Sequence, residues 1–321
     1  MKAVTYYKYG SPDNLILQEI DKPIPKDNEI LIKVHTASIN SWDNDLVLGK
    51  PLISRLGGLL RPKHNILGID VAGTVEVAGK DVTDIKPGDE VFGDMSGCNF
   101  GAFAEYVCAD ASVMAVKPKE ITFEEAASLP HAGVLALQAL KQCNIIDGQK
   151  ILINGAGGGA GTIALQIAKT YNTEITCIDN EKKLNQLKNF GAKFTIDYTK
   201  ENFTKSGKQY NAIIDNVARH SFFNYKKSLK EKGSFVMVGG STGLILITLI
   251  LGKLLKPFIK KEMGLLLHKP NRTDLDILSK MMLDGKLKPV IDSIYPLKKT
   301  KEAFKHFGTS DFFGKIIIKV I

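Results

Sequence analysis

A run of small residues, Gly155-Ala156-Gly157-Gly158-Gly159-Ala160-Gly161, joins the apolar stretch Ile151–Asn154 to the apolar-periodic stretch Thr162–Lys169. A strand that enters a glycine turn and leaves as a helix opens a β-α unit of a parallel sheet. Gly155 permits the tight turn. Gly158 lets a pyrophosphate approach bare backbone, and Gly161 lets the helix pack close to the strand. The helix start then offers unpaired N–H groups and a partial positive charge to phosphate. The next apolar strand, Glu174–Ile178, ends at Asp179, 18 residues beyond Gly161. A carboxylate there accepts hydrogen bonds from the ribose hydroxyls of a dinucleotide and repels a 2′-phosphate. A ligand-free glycine turn is the bland alternative, and it leaves that carboxylate unexplained. Lys182 and Lys183 follow closely. They are either an exposed helix start or neutralisers of a 2′-phosphate. The balance favours NADH over NADPH within an NAD(P)H site.

From Lys150 onward strand and helix alternate: strands at Ile151–Asn154, Glu174–Ile178, Phe194–Asp197, Ala212–Asn216 and Phe235–Val238, helices at Thr162–Lys169 and Glu181–Asn189, the latter closed by Gly191. Such alternation predicts a parallel sheet covered on both faces. The first 118 residues read differently. Short β-rich runs at Ile30–His35, Val71–Val77, Val91–Gly93 and Phe103–Val107 are separated by turns such as Lys86-Pro87-Gly88-Asp89, which suggests a barrel or bent sheet. The texture changes at Thr122-Phe123-Glu124-Glu125, a capping-box spacing that opens a helical pattern running to Leu140. Asp274–Leu283 and Leu297–Phe307 read as helices, and Val290–Ile294 and Lys315–Ile321 as strands. The expected division is residues 1–119 with 286–321 in the β-rich domain and 120–285 in the α/β domain.

Two domains suit 321 residues. The longest apolar run, Leu244–Gly252, is far short of the ~20 residues that span a bilayer. Met1-Lys2-Ala3-Val4 reads directly into a strand without a secretory pattern, and the 4 cysteines form no CxxC pair. A reduced, cytoplasmic protein is expected. The net charge of +9 is uneven: residues 221–321 hold 19 Lys/Arg against 8 Asp/Glu. A lysine-rich solvated surface accounts for this. No aromatic–basic module accompanies it, so no nucleic acid partner is expected.

Several segments together resemble the medium-chain dehydrogenase/reductase superfamily, and within it the zinc-free quinone oxidoreductase branch. They are Ser38-Ile39-Asn40-Ser41-Trp42-Asp43, Leu67–Gly73, Lys86–Gly93, Gly101–Tyr106, Leu129-Pro130-His131-Ala132-Gly133, the glycine turn and Gly314–Ile317. The resemblance spans essentially the whole chain. It implies an α/β protein with a GroES-like β-barrel domain built from both chain ends and a Rossmann doubly wound domain. It also implies hydride transfer from a nicotinamide to a quinone or α,β-unsaturated carbonyl, and a homodimer.

Zinc-dependent relatives hold a catalytic metal through Cys, His and a second Cys. The matching places here carry Asn40-Ser41, Ile69-Asp70 and Leu129-Pro130. A catalytic zinc needs about three such ligands, so no zinc is expected. The four-cysteine structural lobe is missing as well. Hydrogen-bond donors at the substrate oxygen would then replace a Lewis acid. The resemblance places Asn40 and Asp43 near the nicotinamide, Asn40 as a donor and Asp43 holding the turn, with Trp42, Asp43 and Leu244 lining the pocket. His131 departs from the usual apolar residue and is a candidate proton donor. Asn216, Val217, Gly239, Gly240 and Ser241 resemble the loops beneath the nicotinamide. Asn180, Lys183 and Tyr198 resemble the adenosine end.

Residues 244–261, apolar with lysines at 253, 256, 260 and 261, follow this loop directly. Three readings stay open: a lid over a hydrophobic substrate, a weak contact with an anionic membrane surface, and packing in a core or dimer interface. Two alternatives to a quinone or enone reductase also remain. One is a dinucleotide-binding protein acting through a partner or RNA, and the other, lacking its ligands, is a zinc-type alcohol dehydrogenase.

Overall fold

A computed structural model describes residues 1–55, 58–98 and 100–321. The β-rich beginning holds β1 (Lys2–Thr5), β2 (Ile16–Glu19), β3 (Glu29–Ser38), helix α1 (Ser41–Leu48), β4 (Asp70–Ala78), β5 (Glu90–Asp94), β6 (Tyr106–Asp110) and β7 (Met114–Val116). Two helices follow, α2 (Phe123–Ser128) and α3 (Pro130–Gln142). The alternating part is β8 (Lys150–Asn154), α4 (Gly159–Lys169), β9 (Glu174–Asp179), α5 (Glu181–Phe190), β10 (Phe194–Asp197), β11 (Tyr210–Asp215), α6 (Phe222–Ser228), β12 (Leu229–Met237), α7 (Thr242–Leu255) and β13 (Glu262–Leu265). The chain ends with α8 (Arg272–Leu283), β14 (Ile291–Pro296), α9 (Thr300–Gly308) and β15 (Lys315–Lys319).

The chain divides into two compact units: Met1–Val134 with Lys269–Asp284 and Pro289–Ile321, and Leu135–His268 with Gly285–Lys288. The first unit is organised on β3. Its run Glu-Ile-Leu-Ile-Lys-Val alternates except at Leu31, and Ile30, Ile32 and Val34, on one face of the strand, are fully buried. One edge of β3 pairs antiparallel with β4. The other edge is shared by β6, opposite Glu29–Lys33, and β15, opposite Thr36–Ser38. The last strand of the chain thus completes the first unit, as the GroES-like resemblance implies.

The unit boundaries differ from the expected ones. Residues 120–134 pack with the β-rich unit, because the Thr36 hydroxyl donates to the Phe123 carbonyl (2.7 Å) and the His131 N–H donates to Asp70 (2.8 Å). Residues 269–284 join it too. The Arg272 Nε donates to the Met114 carbonyl and its guanidinium pairs with Asp84. Gly285–Lys288 stays with the second unit, tied by Lys288 N–H to Gln166 Oε1 at 2.9 Å.

The second unit is a six-stranded sheet in the order β10-β9-β8-β11-β12-β13, with every pair parallel. Counted from β8, this is the order 3-2-1-4-5-6 of the Rossmann fold. Residues 244–261, read from sequence as an insertion, carry the crossover helix α7 and the turn that leads into β13. No described helix is long and apolar enough to cross a membrane.

Candidate functional site

At the carboxyl end of β8 the chain turns through Gly155 at φ +70°, a conformation that disfavours side chains. A Cβ on Gly161 would lie 2.3 Å from the Gly155 carbonyl oxygen, so the start of α4 sits directly on its own turn. No side chain caps α4, whose N-cap is Gly158. Its first N–H groups therefore face outward without partners, as a helix start does. A Cβ on Gly158 would meet nothing closer than 3.6 Å, which leaves that backbone open to a ligand.

Asp179 ends β9 beside this turn. Its Oδ2 accepts from the Gly157 N–H at 2.7 Å and its Oδ1 from the Asn180 N–H at 2.9 Å. Lys183 Nζ lies 3.5 Å from Oδ1, and both side chains are buried. Lys183 is thus neither of the two expected things, an exposed helix start or a free phosphate ligand: it is the counterion of Asp179. Tyr198 is half exposed, its N–H bonded to the Asp179 carbonyl at 3.2 Å, with the Arg219 guanidinium 5.8 Å from its ring. Arg219 had no signal in the sequence, being a lone cation in a loop.

Across the other strand ends runs a buried polar network that spacing did not reveal. Asn154 Nδ2 donates to Asp215 Oδ1 (2.9 Å), and the Tyr225 hydroxyl donates to Asp215 Oδ2 (2.8 Å). That hydroxyl accepts from the N–H groups of Arg219 (3.1 Å) and His220 (3.2 Å). Burial pushes the Asp215 carboxyl up, against the hydrogen bonds from Asn154, Tyr225 and Val217. Asn216 Nδ2 donates to the Asn154 carbonyl, and the Ala218 N–H to the Gly239 carbonyl (3.0 Å). Asn216 and Val217 thus follow the carboxyl end of β11 beside Gly239 and Gly240, which follow that of β12, and Ser241 caps α7 by accepting from the Leu244 N–H.

These residues fit a dinucleotide. Beyond the uncapped helix start and the open Gly158, two buried polar atoms lack a partner, Asn180 Oδ1 beside Asp179 and Thr242 Oγ1 beside Ser241. Each waits for a hydrogen bond that the described protein atoms do not supply.

The first unit gathers the other expected residues around a buried carboxylate. Asp70 Oδ2 accepts from Ser38 Oγ (2.6 Å), Asn40 Nδ2 (2.9 Å) and Lys315 Nζ (3.0 Å), and Lys315 also donates to Asn40 Oδ1 (2.6 Å). Asn40 was expected as a donor to substrate. Its carbonyl and one amide hydrogen are instead committed inside this network. Asp43 is withdrawn from the pocket: it has no exposed surface, and its two oxygens accept from the N–H groups of Asn40 and Gly68, both at 3.0 Å. Burial pushes its carboxyl up to about 7. Trp42 is half-buried against the core of the first unit, and Leu244 packs on the core of the second.

His131 Nδ1 lies 2.9 Å from Asp94 Oδ2. Burial alone would lower the imidazole. The charge and hydrogen bond of Asp94, with Asp70 behind, more than offset it, and the group is held above its usual range. By the resemblance, zinc-dependent relatives would place metal ligands near Asn40, Asp70 and Leu129. Lys315 already sets a fixed cation against Asp70 and Asn40, and no thiolate stands there.

Comparison with known proteins agrees with this geometry. The pattern described as "Alcohol dehydrogenase GroES-like domain" matches residues 26–119, and that described as "Zinc-binding dehydrogenase" matches 190–318. The chain is 32% identical to the 2-methylene-furan-3-one reductase of Solanum lycopersicum, over 100% of this chain and 79% of the relative. It is 34% identical to a chloroplastic quinone-oxidoreductase homolog of Spinacia oleracea, over 99% of this chain and 98% of the relative. Its fold matches the quinone oxidoreductase of Coxiella burnetii with a TM-score of 0.90, at 31% identity, covering 100% of this chain and 99% of that one.

Proposed function

The chain belongs to the medium-chain dehydrogenase/reductase superfamily, in its quinone oxidoreductase-like branch, and from that membership we propose a zinc-independent NAD(P)H oxidoreductase acting on quinones or α,β-unsaturated carbonyls. The observation that carries the reading is the uncapped glycine turn with Asp179 locked beside it, 2.7 Å from the Gly157 N–H.

A nicotinamide cofactor supplies a hydride when bound. The backbone from Gly158 to Gly161 receives the pyrophosphate, since unpaired helix-start N–H groups and the helix dipole favour an anion. Asp179, fixed by two N–H donors and paired with Lys183, accepts from the ribose hydroxyls, which favours NADH. The Asn154–Asp215–Tyr225 network holds residues 216–220, and with them the Gly239 loop, under the nicotinamide end. His131, whose imidazole Asp94 holds above its usual range, is the candidate proton source for the reduced product. Conjugation spreads the charge left by hydride addition, so hydrogen-bond donors suffice where an alcohol dehydrogenase needs a metal. The substrate is a small hydrophobic carbonyl or quinone.

The test is NADH and NADPH oxidation by the purified chain with naphthoquinones and alkenals, with and without a metal chelator. Turnover unaffected by the chelator is expected. If the chain binds a cofactor yet no activated acceptor speeds its oxidation, the reading fails. Activity lost on chelation and restored by zinc would return the alcohol dehydrogenase alternative.

A further inference from the structure

Helix α7 is apolar on both sides. Leu244, Ile245, Leu251 and Leu255 pack on the core of the second unit, and Thr248 is fully buried. On the other side Leu246, Ile247, Leu249, Ile250 and Leu254, with Phe258 just beyond the helix, are 44% to 83% exposed. A helix on the surface of a globular protein carries polar side chains there. A contiguous apolar face open to water marks a surface made for a partner.

The charges beside this face are of one sign. Between Ser241 and Lys261 there are 4 lysines and no Asp or Glu. Lys253 and Lys256 are exposed and have no acidic partner among the described residues. Lys260 reaches Glu231 at 3.2 Å on the open surface. Where the apolar face ends, an open cleft of about 400 Å³ is lined by Lys232, Lys256, Lys260 and Lys261, with Ser234 and one carboxylate, Glu262. The cleft lies at the amino ends of β11, β12 and β13, the end of the sheet away from the glycine turn.

A second copy of the chain is a poor occupant. The Leu266 N–H bonds to the Met237 carbonyl, and alternation along a parallel strand then turns the Met263 carbonyl away from β12. On that edge α7 is already in place, since a Cβ on Gly252 would lie 2.4 Å from the Met263 oxygen. The helix therefore obstructs extension of the sheet into another molecule.

We propose that α7 and the lysines at its carboxyl end dock on an anionic lipid bilayer. Leu246, Ile247, Ile250, Leu254 and Phe258 enter the boundary between headgroups and acyl chains, and Lys253, Lys256 and Lys260 meet lipid phosphates. Apolar side chains with adjoining lysines are the composition that binds such a surface. The proposal stands apart from the reductase reading, because no part of it uses the cofactor site.

The test is flotation of the full chain with vesicles of phosphatidylcholine, alone or mixed with phosphatidylglycerol. The chain is expected to float with the mixed vesicles at low salt and to be released as salt rises, since the charge term is screened within about 10 Å at 0.1 M. Replacing Lys253, Lys256 and Lys260 by Ala should weaken partition roughly fivefold per lysine. Ile250→Glu with Leu254→Glu should abolish flotation while thermal melting and cofactor binding stay those of the wild type. Failure of the wild type to float at low salt would overturn the proposal. So would flotation that the paired glutamates leave intact, or a wild-type dimer that they convert to monomer without any vesicle binding.

Discussion

The Lys315 ammonium lies 3.0 Å from Oδ2 of Asp70, a buried ion pair between residues 245 positions apart. It pins the closing strand β15 to β4 across the end of β3.

Lys315→Met removes the cation and leaves Asp70 buried with Ser38, Asn40 and the His131 N–H as its remaining donors. Breaking a buried pair on one side costs about 3–5 kcal/mol. Urea unfolding should show that loss in Lys315→Met, and a smaller one when Asp70→Asn is added. If the double variant is as unstable as the sum of the singles, the two groups are not coupled.

Asp179→Asn keeps one acceptor and removes the charge. Charge-assisted hydrogen bonds contribute about 1.5–3 kcal/mol, so NADH affinity should fall roughly tenfold or more by calorimetry. NADPH affinity should hold or rise, because the repulsion of the 2′-phosphate is gone. A wild type that prefers NADPH would mean that Lys183 and Arg219, close to this carboxylate and to Tyr198, outweigh it.

What was legible in the sequence was local. Gly155–Gly161 and Asp179 lie within 25 residues, and a turn, a helix start and a strand end are set by neighbours in the chain. Strand β13 went unread because four residues around Gly264 carry no alternation; pairing with β12 makes them a strand. Helix α1 was hidden by Asp43, Asn44 and Asp45, whose side chains compete with helix formation until burial and the Gly68 N–H give Asp43 its place. The strand read at Phe103–Val107 begins at Tyr106, because the register with β3 sets Tyr106 against Lys33. Asp70 with Lys315, and Asp94 with His131, follow no spacing rule, since each pair is joined only by the folded sheet. The turn residues announced a cofactor, whereas the surroundings of Asn40 and Asp43 depended on partners far along the chain.

His131 gives stability a pH dependence with a definite sign. Its native pKa is raised above the unfolded value of about 6.5. The protonated pair with Asp94 therefore contributes fully below that value, and the contribution fades as pH climbs through the raised native one. The melting temperature of wild type should exceed that of His131→Gln most in mildly acidic buffer, and the gap should narrow as the buffer becomes alkaline. A gap that does not change with pH would mean that His131 stays neutral beside Asp94.

Tyr225→Phe tests whether the strand-end network positions the cofactor loops. One hydroxyl donates to Asp215 and accepts from two backbone N–H groups. Its removal leaves a fully buried carboxylate short of a donor and frees residues 219 and 220 from their anchor. An unsatisfied buried group costs about 1–3 kcal/mol, so melting should fall by several degrees in a chain of this size. The informative readout is separate: affinity for the reduced cofactor, measured well below the melting point where the variant is folded. If Tyr225 acts only in the core, that affinity matches wild type. If it holds the chain from Asn216 to His220 in place, affinity drops while Asn154 and the glycine turn remain intact, and Asp215→Asn, which keeps the side chain's shape, should shift it in the same direction by a smaller factor.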